Sequence, residues 1–403
     1  MLNIALKDNL CVVDIGTNKI ITINYKISEN GLLKIHSINH KKSEGIERSF
    51  ISSEGKFLQT IKKSVLEDKN FKSSHLISSI SDTKLFMKKN YEDLKIRGFK
   101  INKKDIRKIF IKNLKEPLSK DRTILHSFPK KFYIDGKSIN HNPLGIECEK
   151  LGLGFTNLYV RNHHKDLIEK AFLQLKKKIK IDFVDSGLAS GISCLTETEK
   201  SNGATAVDIG AGSIKIVTFL NNNIEFLKNI PLGGNDVTND IKKIVNLNND
   251  EAEFLKIIHG TLNFENFEKI ELNLEKKKKK IVSSGLLHGI IKPRYEEILE
   301  IIRDTLEENL ISSSKMQNIV FTGGAVSIRG FQSFASNIIN RKIRISSPKT
   351  NYNNINKPEF STIDGLIKIH NDSSLKRIIS ANTWNQKLSF IERIENWITE
   401  SIN

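Results

Sequence analysis

Two short segments of this 403-residue chain each set a carboxylate beside glycine and a small polar side chain: Asp14-Ile15-Gly16-Thr17-Asn18 and Asp208-Ile209-Gly210-Ala211-Gly212-Ser213. Glycine lets the backbone approach a phosphate closely. Successive N–H groups in such a turn, together with the Thr or Ser hydroxyl, bind phosphate oxygens. An ionised Asp is acceptor-only and can hold Mg²⁺, usually through water. Two such turns facing one another would clamp a nucleoside triphosphate and its metal. A third turn, Ile319-Val320-Phe321-Thr322-Gly323-Gly324-Ala325, runs from a strand into Gly-Gly ahead of the helix-like Phe331–Ile339. That arrangement offers a pocket for a ribose or an adenine face. One Asp-x-Gly-Thr alone is explained equally well by a tight hairpin; three turns in this order argue for a site.

The elements that must position these turns follow from periodicity. The apolar run Leu10–Ile15 and the run Ile20–Ile27 read as a hairpin closed by Gly, Thr and Asn. Ala204–Val207, the turn from Asp208 to Ser213 and Ile214–Leu220 repeat the pattern in mid-chain. A duplicated α/β domain with a cleft between its halves would produce this repeat. Apolar residues at helical spacing predict a helix over Asp166–Ile179 and another over Pro293–Leu310, with Pro293 in its first turn. Lys103–Leu114 is helix-like within a stretch, Thr83–Val160, whose composition reads as a small α+β domain.

Length and composition bound the class. A chain of 403 residues exceeds one compact core and should form two or more domains. Hydrophobic residues at 38% and charged residues at 27% point to a soluble globular protein. No run of about eighteen apolar residues predicts a transmembrane helix, and the first ten residues do not read as a signal peptide. Cys11, Cys148 and Cys194 are too far apart for a metal knuckle and are expected as buried free thiols. The net charge of +18 is spread along the chain, and its clusters, Lys176–Lys178 and Lys276–Lys280, lack interleaved aromatics. Nucleic acid is therefore not expected as a partner; part of the charge suits an anionic lipid surface.

The three turns resemble the phosphate-1, phosphate-2 and adenosine motifs of the actin, sugar-kinase and heat-shock chaperone superfamily. Further segments resemble the FtsA family of bacterial cell-division proteins: His126-Ser127-Phe128-Pro129, Asn142-Pro143-Leu144-Gly145, Gly187-Leu188-Ala189-Ser190, Ile230-Pro231-Leu232-Gly233-Gly234 and Ile291-Lys292-Pro293-Arg294-Tyr295. The resemblance covers nearly the whole chain and is most specific from Gly187 to Ile241. It implies ATP and Mg²⁺ as cofactors. Asp14 and Asp208 would organise Mg²⁺ and its waters. Gly16, Thr17 and Asn18 would touch the phosphates from one side, and Gly210, Gly212 and Ser213 from the other. Gly233 would belong to the ribose-side wall, Glu253 and Lys256 would contact ribose and adenine, and Gly323 and Gly324 would lie under the adenosine. At i, i+3 spacing, a plain surface ion pair explains Glu253 and Lys256 equally well.

The implied architecture is an actin-like α/β fold with two domains around a nucleotide cleft. Subdomain 1A is expected at 1–82 and 161–197, the inserted subdomain 1C at 83–160, and subdomain 2A at 198–241 and 293–360. Subdomain 2B is expected at 242–292, a last helix of 1A at 361–375, a linker at 376–386 and an amphipathic membrane helix at 387–403. Phe390, Ile391, Ile394, Trp397 and Ile398 form much of that helix's apolar face. Departures from the family pattern are Ala211, where Gly is usual, and Lys215, where many relatives carry Asp. The tail also carries Glu392, Glu395 and Glu400 against Lys387 and Arg393, so it is not basic. The superfamily places a general base before the second hairpin. Asp185 is the nearest carboxylate here, and its alignment does not recommend it, so weak or no ATPase activity is expected.

The resemblance further implies a protein at the cytoplasmic face of the inner membrane, at the division site. There it would tether the FtsZ polymer through its C-terminal peptide, self-associate into actin-like polymers and recruit other division proteins. The FtsZ peptide would dock on about Lys242–Lys292, where Lys276–Lys280 attract acidic residues. An actin-like pilus-assembly scaffold and a small-molecule kinase of the same superfamily are the alternatives.

Overall fold

The computed structural model describes residues 10–27, 33–65, 73, 75–115, 120–175, 179–263, 266–273, 279–309, 318–348 and 356–371. The amphipathic segment 387–403 and the cluster Lys176–Lys178 lie outside these residues.

Strand β1 (Leu10–Ile15) buries Cys11, Val12 and Val13 and pairs antiparallel with β2 (Lys19–Ile27), Asp14 opposite Ile21 and Ile15 opposite Ile20. β3 (Leu33–Lys42) continues the antiparallel meander. Short strands β4 (Ile46–Glu47) and β5 (Phe50–Ile51) and helix α1 (Glu54–Val65) then lead to β6 (His75–Ile80), parallel to β1.

The chain next leaves this sheet and builds a second one. β7 (Phe86–Lys95), helix α2 (Lys103–Lys115), β8 (Arg122–Ile134), β9 (Lys137–Ile139) and β10 (Lys150–Arg161) form an antiparallel sheet in the order β7-β10-β8-β9. Asp135 and Gly136, both at positive φ, make the β8–β9 turn, the backbone that Asp-Gly favours in a hairpin. Ile106, Ile109 and Phe110 of α2 pack on Leu151, Leu153 and Phe155 as a separate core. Both strands of chain connecting this insert to the first sheet meet at one ion pair. Asp82, fully buried, takes Arg161 Nη2 at 2.6 Å and Nε at 3.0 Å, and accepts from the Arg161 backbone N–H at 2.9 Å. Despite its burial, the Arg161 guanidinium and N–H hold this carboxyl below its ordinary range.

Helix α3 (Asn162–Leu175) returns the chain to β11 (Lys180–Asp185), completing the sheet order β11-β6-β1-β2-β3, and α4 (Ser186–Cys194) follows directly. The helix thus begins four residues ahead of the predicted Asp166, and Ile179, the predicted last residue, lies outside it, buried just ahead of β11.

After α5 (Glu197–Asn202) the pattern repeats. β12 (Ala204–Ile209), β13 (Ile214–Leu220) and β14 (Asn223–Ile230) form an antiparallel meander. Helices α6 (Gly234–Val245) and α7 (Asn249–His259), the ribbon β15 (Lys269–Asn273) and β16 (Lys279–Ser283), and α8 (Ser284–Glu308) come next. β17 (Asn318–Thr322) and, after α9 (Phe331–Ile339), β18 (Ile343–Ile345) add in parallel. The order β14-β13-β12-β17-β18 has the pairing directions of β3-β2-β1-β6-β11.

Helix α8 starts nine residues before the predicted Pro293, which lies inside it rather than in its first turn. Ser283 caps the helix by accepting from Leu286 N–H. Burial of Leu287, Ile290 and Ile291 ahead of the proline outweighs the hydrogen bond that Pro293 removes. The last described helix, α10 (Ser361–Asn371), crosses α4 so closely that a Cβ on Gly365 would stand 1.8 Å from the Ala189 carbonyl oxygen. Ile363 and Leu366 of α10, with Leu188 of α4, join one core with Val12 and Ile21 of the first sheet and Ala206 and Val217 of the third. All three cysteines are buried and none forms a disulfide. No helix among the described residues is long and apolar enough to cross a membrane.

The Asp82–Arg161 clamp makes a prediction. Asp82→Ala leaves a mostly buried guanidinium without its partner and should destabilise the protein by about 3 kcal/mol. The contribution is present above the ordinary Asp pKa of 3.8 and is lost as pH falls below it, because the folded carboxyl sits lower. Thermal unfolding at pH 7 checks this; an unchanged midpoint rejects the clamp.

Candidate functional site

The two hairpin turns close alike. Gly16 N–H donates to the Lys19 carbonyl at 3.0 Å, and Gly210 N–H donates to the Ser213 carbonyl at 3.0 Å. Paired strand positions bracket each turn, Ile15 with Ile20 and Ile209 with Ile214. Because directly opposed residues of an antiparallel pair share a face, the Asp one step back is set by register: Asp14 lies opposite Ile21 and Asp208 opposite Lys215.

The turns meet across one cleft of about 310 Å³. Asp14, Gly16, Thr17 and Asn18 line it from the first half, and Asp208, Gly210, Gly212 and Ser213 from the second. Glu253, Lys256, Gly323 and Gly324 close another wall. Their approach is tight: a Cβ on Gly212 would lie 2.4 Å from Thr17 Oγ1. Ser49 joins the two turns, its N–H donating to Thr17 Oγ1 at 3.2 Å and its hydroxyl 2.7 Å from Ser213 Oγ. Arg48 and Ser49 both hold left-handed backbone, φ 47° and 59°, to reach this place. Asn18 and Asn235 exchange reciprocal amide hydrogen bonds of 2.8 Å across the mouth.

The two aspartates are held differently. Asp14 Oδ1 accepts from Ser79 Oγ at 2.8 Å, and that hydroxyl also accepts from Ile15 N–H. Burial pushes the Asp14 carboxyl up, and the Lys215 charge and the Ser79 bond offset part of the rise. Asp208 Oδ2 lies 3.6 Å from Lys215 Nζ and 3.4 Å from Thr362 Oγ1. Among the described residues no group of three or more His, Cys, Asp or Glu is arranged to hold a metal.

Glu253 and Lys256 face the cleft and also fasten α7 to α6. Lys256 Nζ donates to Glu253 Oε2 at 2.7 Å, Thr238 Oγ1 at 2.8 Å and the Gly234 carbonyl at 3.0 Å. Burial lowers the Lys256 pKa against the pull of Glu253. At φ 95° and ψ 165°, Gly323 occupies backbone that is essentially glycine-only. A Cβ there would stand 2.3 Å from Asp208 Oδ1, so the turn after β17 fixes the aspartate at the end of β12. The strand does not run straight into a helix at Gly-Gly: a short 3₁₀ turn, Gly324–Ser327, intervenes before α9.

Gly233 is not among the cleft residues. It caps α6 from behind the second turn, where a Cβ would meet the Gly210 carbonyl oxygen at 2.6 Å; Gly234 lines the cleft instead. Asp185 is also outside the cleft lining. Its carboxylate is the N-cap of α4, accepting from Leu188 N–H at 2.9 Å and from Asn229 Nδ2 at 3.3 Å. A carboxylate consumed in capping, fully buried, is not placed to activate water. Lys280, from the basic cluster, turns inward and donates to the Val245 carbonyl at the end of α6. Local sequence did not disclose Ser49, Ser79, Asn235 or Thr362, which reach the site only through tertiary packing.

Burial pushes the Asp185 carboxyl up to about 6, while its hydrogen bonds pull the other way. Folding therefore favours its protonated form. That stabilisation is complete below the ordinary value of 3.8 and is lost as pH rises through about 6. Between pH 7.5 and pH 5 the wild type should gain about 1.4 kcal/mol relative to Asp185→Asn. Unfolding of both proteins at the two pH values measures this, and a pH-invariant difference contradicts it.

Comparison with known proteins agrees in order along the chain. A family model described as cell division protein FtsA matches residues 205–365, and one described as the SHS2 domain inserted in FtsA matches residues 84–159. Together they span more than half of the chain. Cell division protein FtsA of Buchnera aphidicola subsp. Schizaphis graminum is 28% identical over 406 residues, covering 94% of this chain and 96% of the relative. The corresponding protein of Neisseria meningitidis serogroup B is 26% identical, covering 89% of each. Among solved structures, a PilM–PilN type IV pilus biogenesis complex aligns with TM-score 0.61 at 14% identity, covering 88% of this chain and 97% of that one. MreB5 of Spiroplasma citri bound to ADP aligns with TM-score 0.54 at 12% identity, covering 97% and 100%. These structural likenesses show an actin-like fold, and the two family models, with relatives along nearly the full length, show that the chain belongs to the FtsA family of cell-division proteins.

Proposed function

We propose that this chain binds ATP in the cleft between its halves and, as a membrane-tethered actin-like polymer, links the FtsZ ring to the cytoplasmic face of the inner membrane. The observation that carries the nucleotide reading is the pair of identically closed turns bringing Thr17 and Gly212 together over two inward-facing aspartates. Backbone N–H groups and the Thr17 and Ser213 hydroxyls suit phosphate oxygens, and Gly323 and Gly324 leave room for the adenosine. The Spiroplasma MreB5 structure with ADP has the same fold and supports this use of it.

Mg²⁺ gripped by Asp14 and Asp208 together fits the residues poorly. The Lys215 ammonium already stands 3.6 Å from Asp208 Oδ2, where it would repel a divalent ion and compete with it for that carboxylate. Asp185, spent on capping, leaves slow or absent hydrolysis as the reading. The chain's own residues then act as a nucleotide-gated clasp: bound phosphates would replace the direct contacts between the two turns and set the angle between the halves.

Membrane attachment rests on the sequence of 387–403, whose apolar face includes Phe390, Ile391, Ile394, Trp397 and Ile398. Each large apolar side chain contributes about 1.5–3 kcal/mol when fully buried, and less at an interface. One tail would bind lipid reversibly; a polymer presenting many tails would bind firmly through effective concentration. The inserted four-stranded sheet would take part in polymer contacts, and the 242–292 region would receive the FtsZ peptide, with other division proteins recruited to the assembly.

Titration of the purified chain with a fluorescent adenine nucleotide tests the cleft. Saturable binding is expected, and Gly323→Ala should weaken it about tenfold or more by displacing Asp208; absence of binding in the wild type ends this reading. Co-sedimentation with anionic liposomes tests the tail. Removing residues 387–403 should abolish pelleting, and undiminished pelleting would show that the membrane contact lies elsewhere.

A further inference from the structure

Lys215 brings a fixed positive charge into the cleft. In the first hairpin the position opposite the aspartate is the apolar Ile21; in the second it is Lys215. At this register position the duplicated architecture therefore carries a cation on one side only; Lys19 of the first hairpin also lines the cleft but is paired with Glu359 at 2.6 Å. Lys215 lines the cleft with its side chain only 12% exposed. Its ammonium stays 3.6 Å from Asp208 Oδ2, an ion pair too long for a hydrogen bond, so its donors remain available to a phosphate. Space is kept for it by Gly210, where a Cβ would stand 3.1 Å from Nζ. The same charge also acts on Asp14 and Asp185, lowering both carboxyls against burial. One ammonium thus sits within electrostatic reach of three carboxylates at the place where phosphate would enter.

We propose that Lys215 is the resident cation of this cleft, supplying the counter-charge for the phosphates of a nucleoside triphosphate so that binding does not require a divalent ion. A divalent ion between Asp14 and Asp208 would have to approach this ammonium and compete with it for Asp208. The ammonium is covalently tethered, pays no association entropy and is delivered by register. The inference deepens the ATP reading and rests on it.

The test uses the full chain and a fluorescent ATP analogue, titrated in Mg²⁺ and in EDTA. Wild-type affinity should agree between the two buffers within about threefold. Lys215→Met, similar in length and uncharged, should lose about tenfold or more in EDTA. Lys215→Asp, which replaces the ammonium by a further carboxylate, should bind only with Mg²⁺. Thermal melts establish that the variants are folded, and the wild-type comparison needs no variant at all. Wild-type binding that requires Mg²⁺ overturns the role of Lys215 while leaving the ATP reading intact, and so does Lys215→Met binding undiminished in EDTA. No wild-type binding in either buffer overturns both together.

Discussion

Tip-to-tip contact between two hairpins is the constraint from which the cleft derives its form. Each turn has to reverse the chain in few enough residues to keep its aspartate on the inner face, and each has to stay small enough for the other to approach. Thr17 against Gly212, and Ser49 spanning Thr17 and Ser213, are where those requirements meet. The parallel strands behind the hairpins serve the same end. β6 contributes Ser79 to hold Asp14, and β17 delivers Gly323 against Asp208. Each aspartate is thus fixed by a neighbouring strand that joins its hairpin in parallel.

The two halves have nonetheless diverged in their electrostatics. The first aspartate has an apolar residue opposite and a hydroxyl at its oxygen. The second lies beside an ammonium and a threonine. Duplication conserves backbone more readily than side-chain chemistry, because register and turn length are dictated by strand pairing whereas the opposite residue is free to change. The cleft is consequently asymmetric in charge although symmetric in topology.

The hairpins were readable from sequence because their signals are local: apolar runs, an Asp and a short glycine-bearing turn. The duplicated order of elements followed from the repeat, and α2 and α9 from their periodicity. Other features were set by packing. Pro293 marked a plausible helix start, yet apolar residues on both sides of it were buried, and α8 ran through. Asp185 was the nearest carboxylate to a base position though its alignment did not recommend it, and its use as the cap of α4 could not be read locally. Gly233 was one residue away from the cleft lining. Ser49, Ser79, Asn235 and Thr362 carry no motif, and their positions depend on contacts between residues distant in sequence.

Helix α10 has a mechanical consequence. It is wedged against α4, sharing a core with strands of both main sheets, and near its end Tyr25 Oη lies 2.8 Å from His370 Nδ1. Tension applied to the chain beyond Asn371 would therefore load the seam between the two halves rather than a peripheral loop. A pull from that end would be felt at the hinge of the cleft, making the seam a route by which traction could bias its opening.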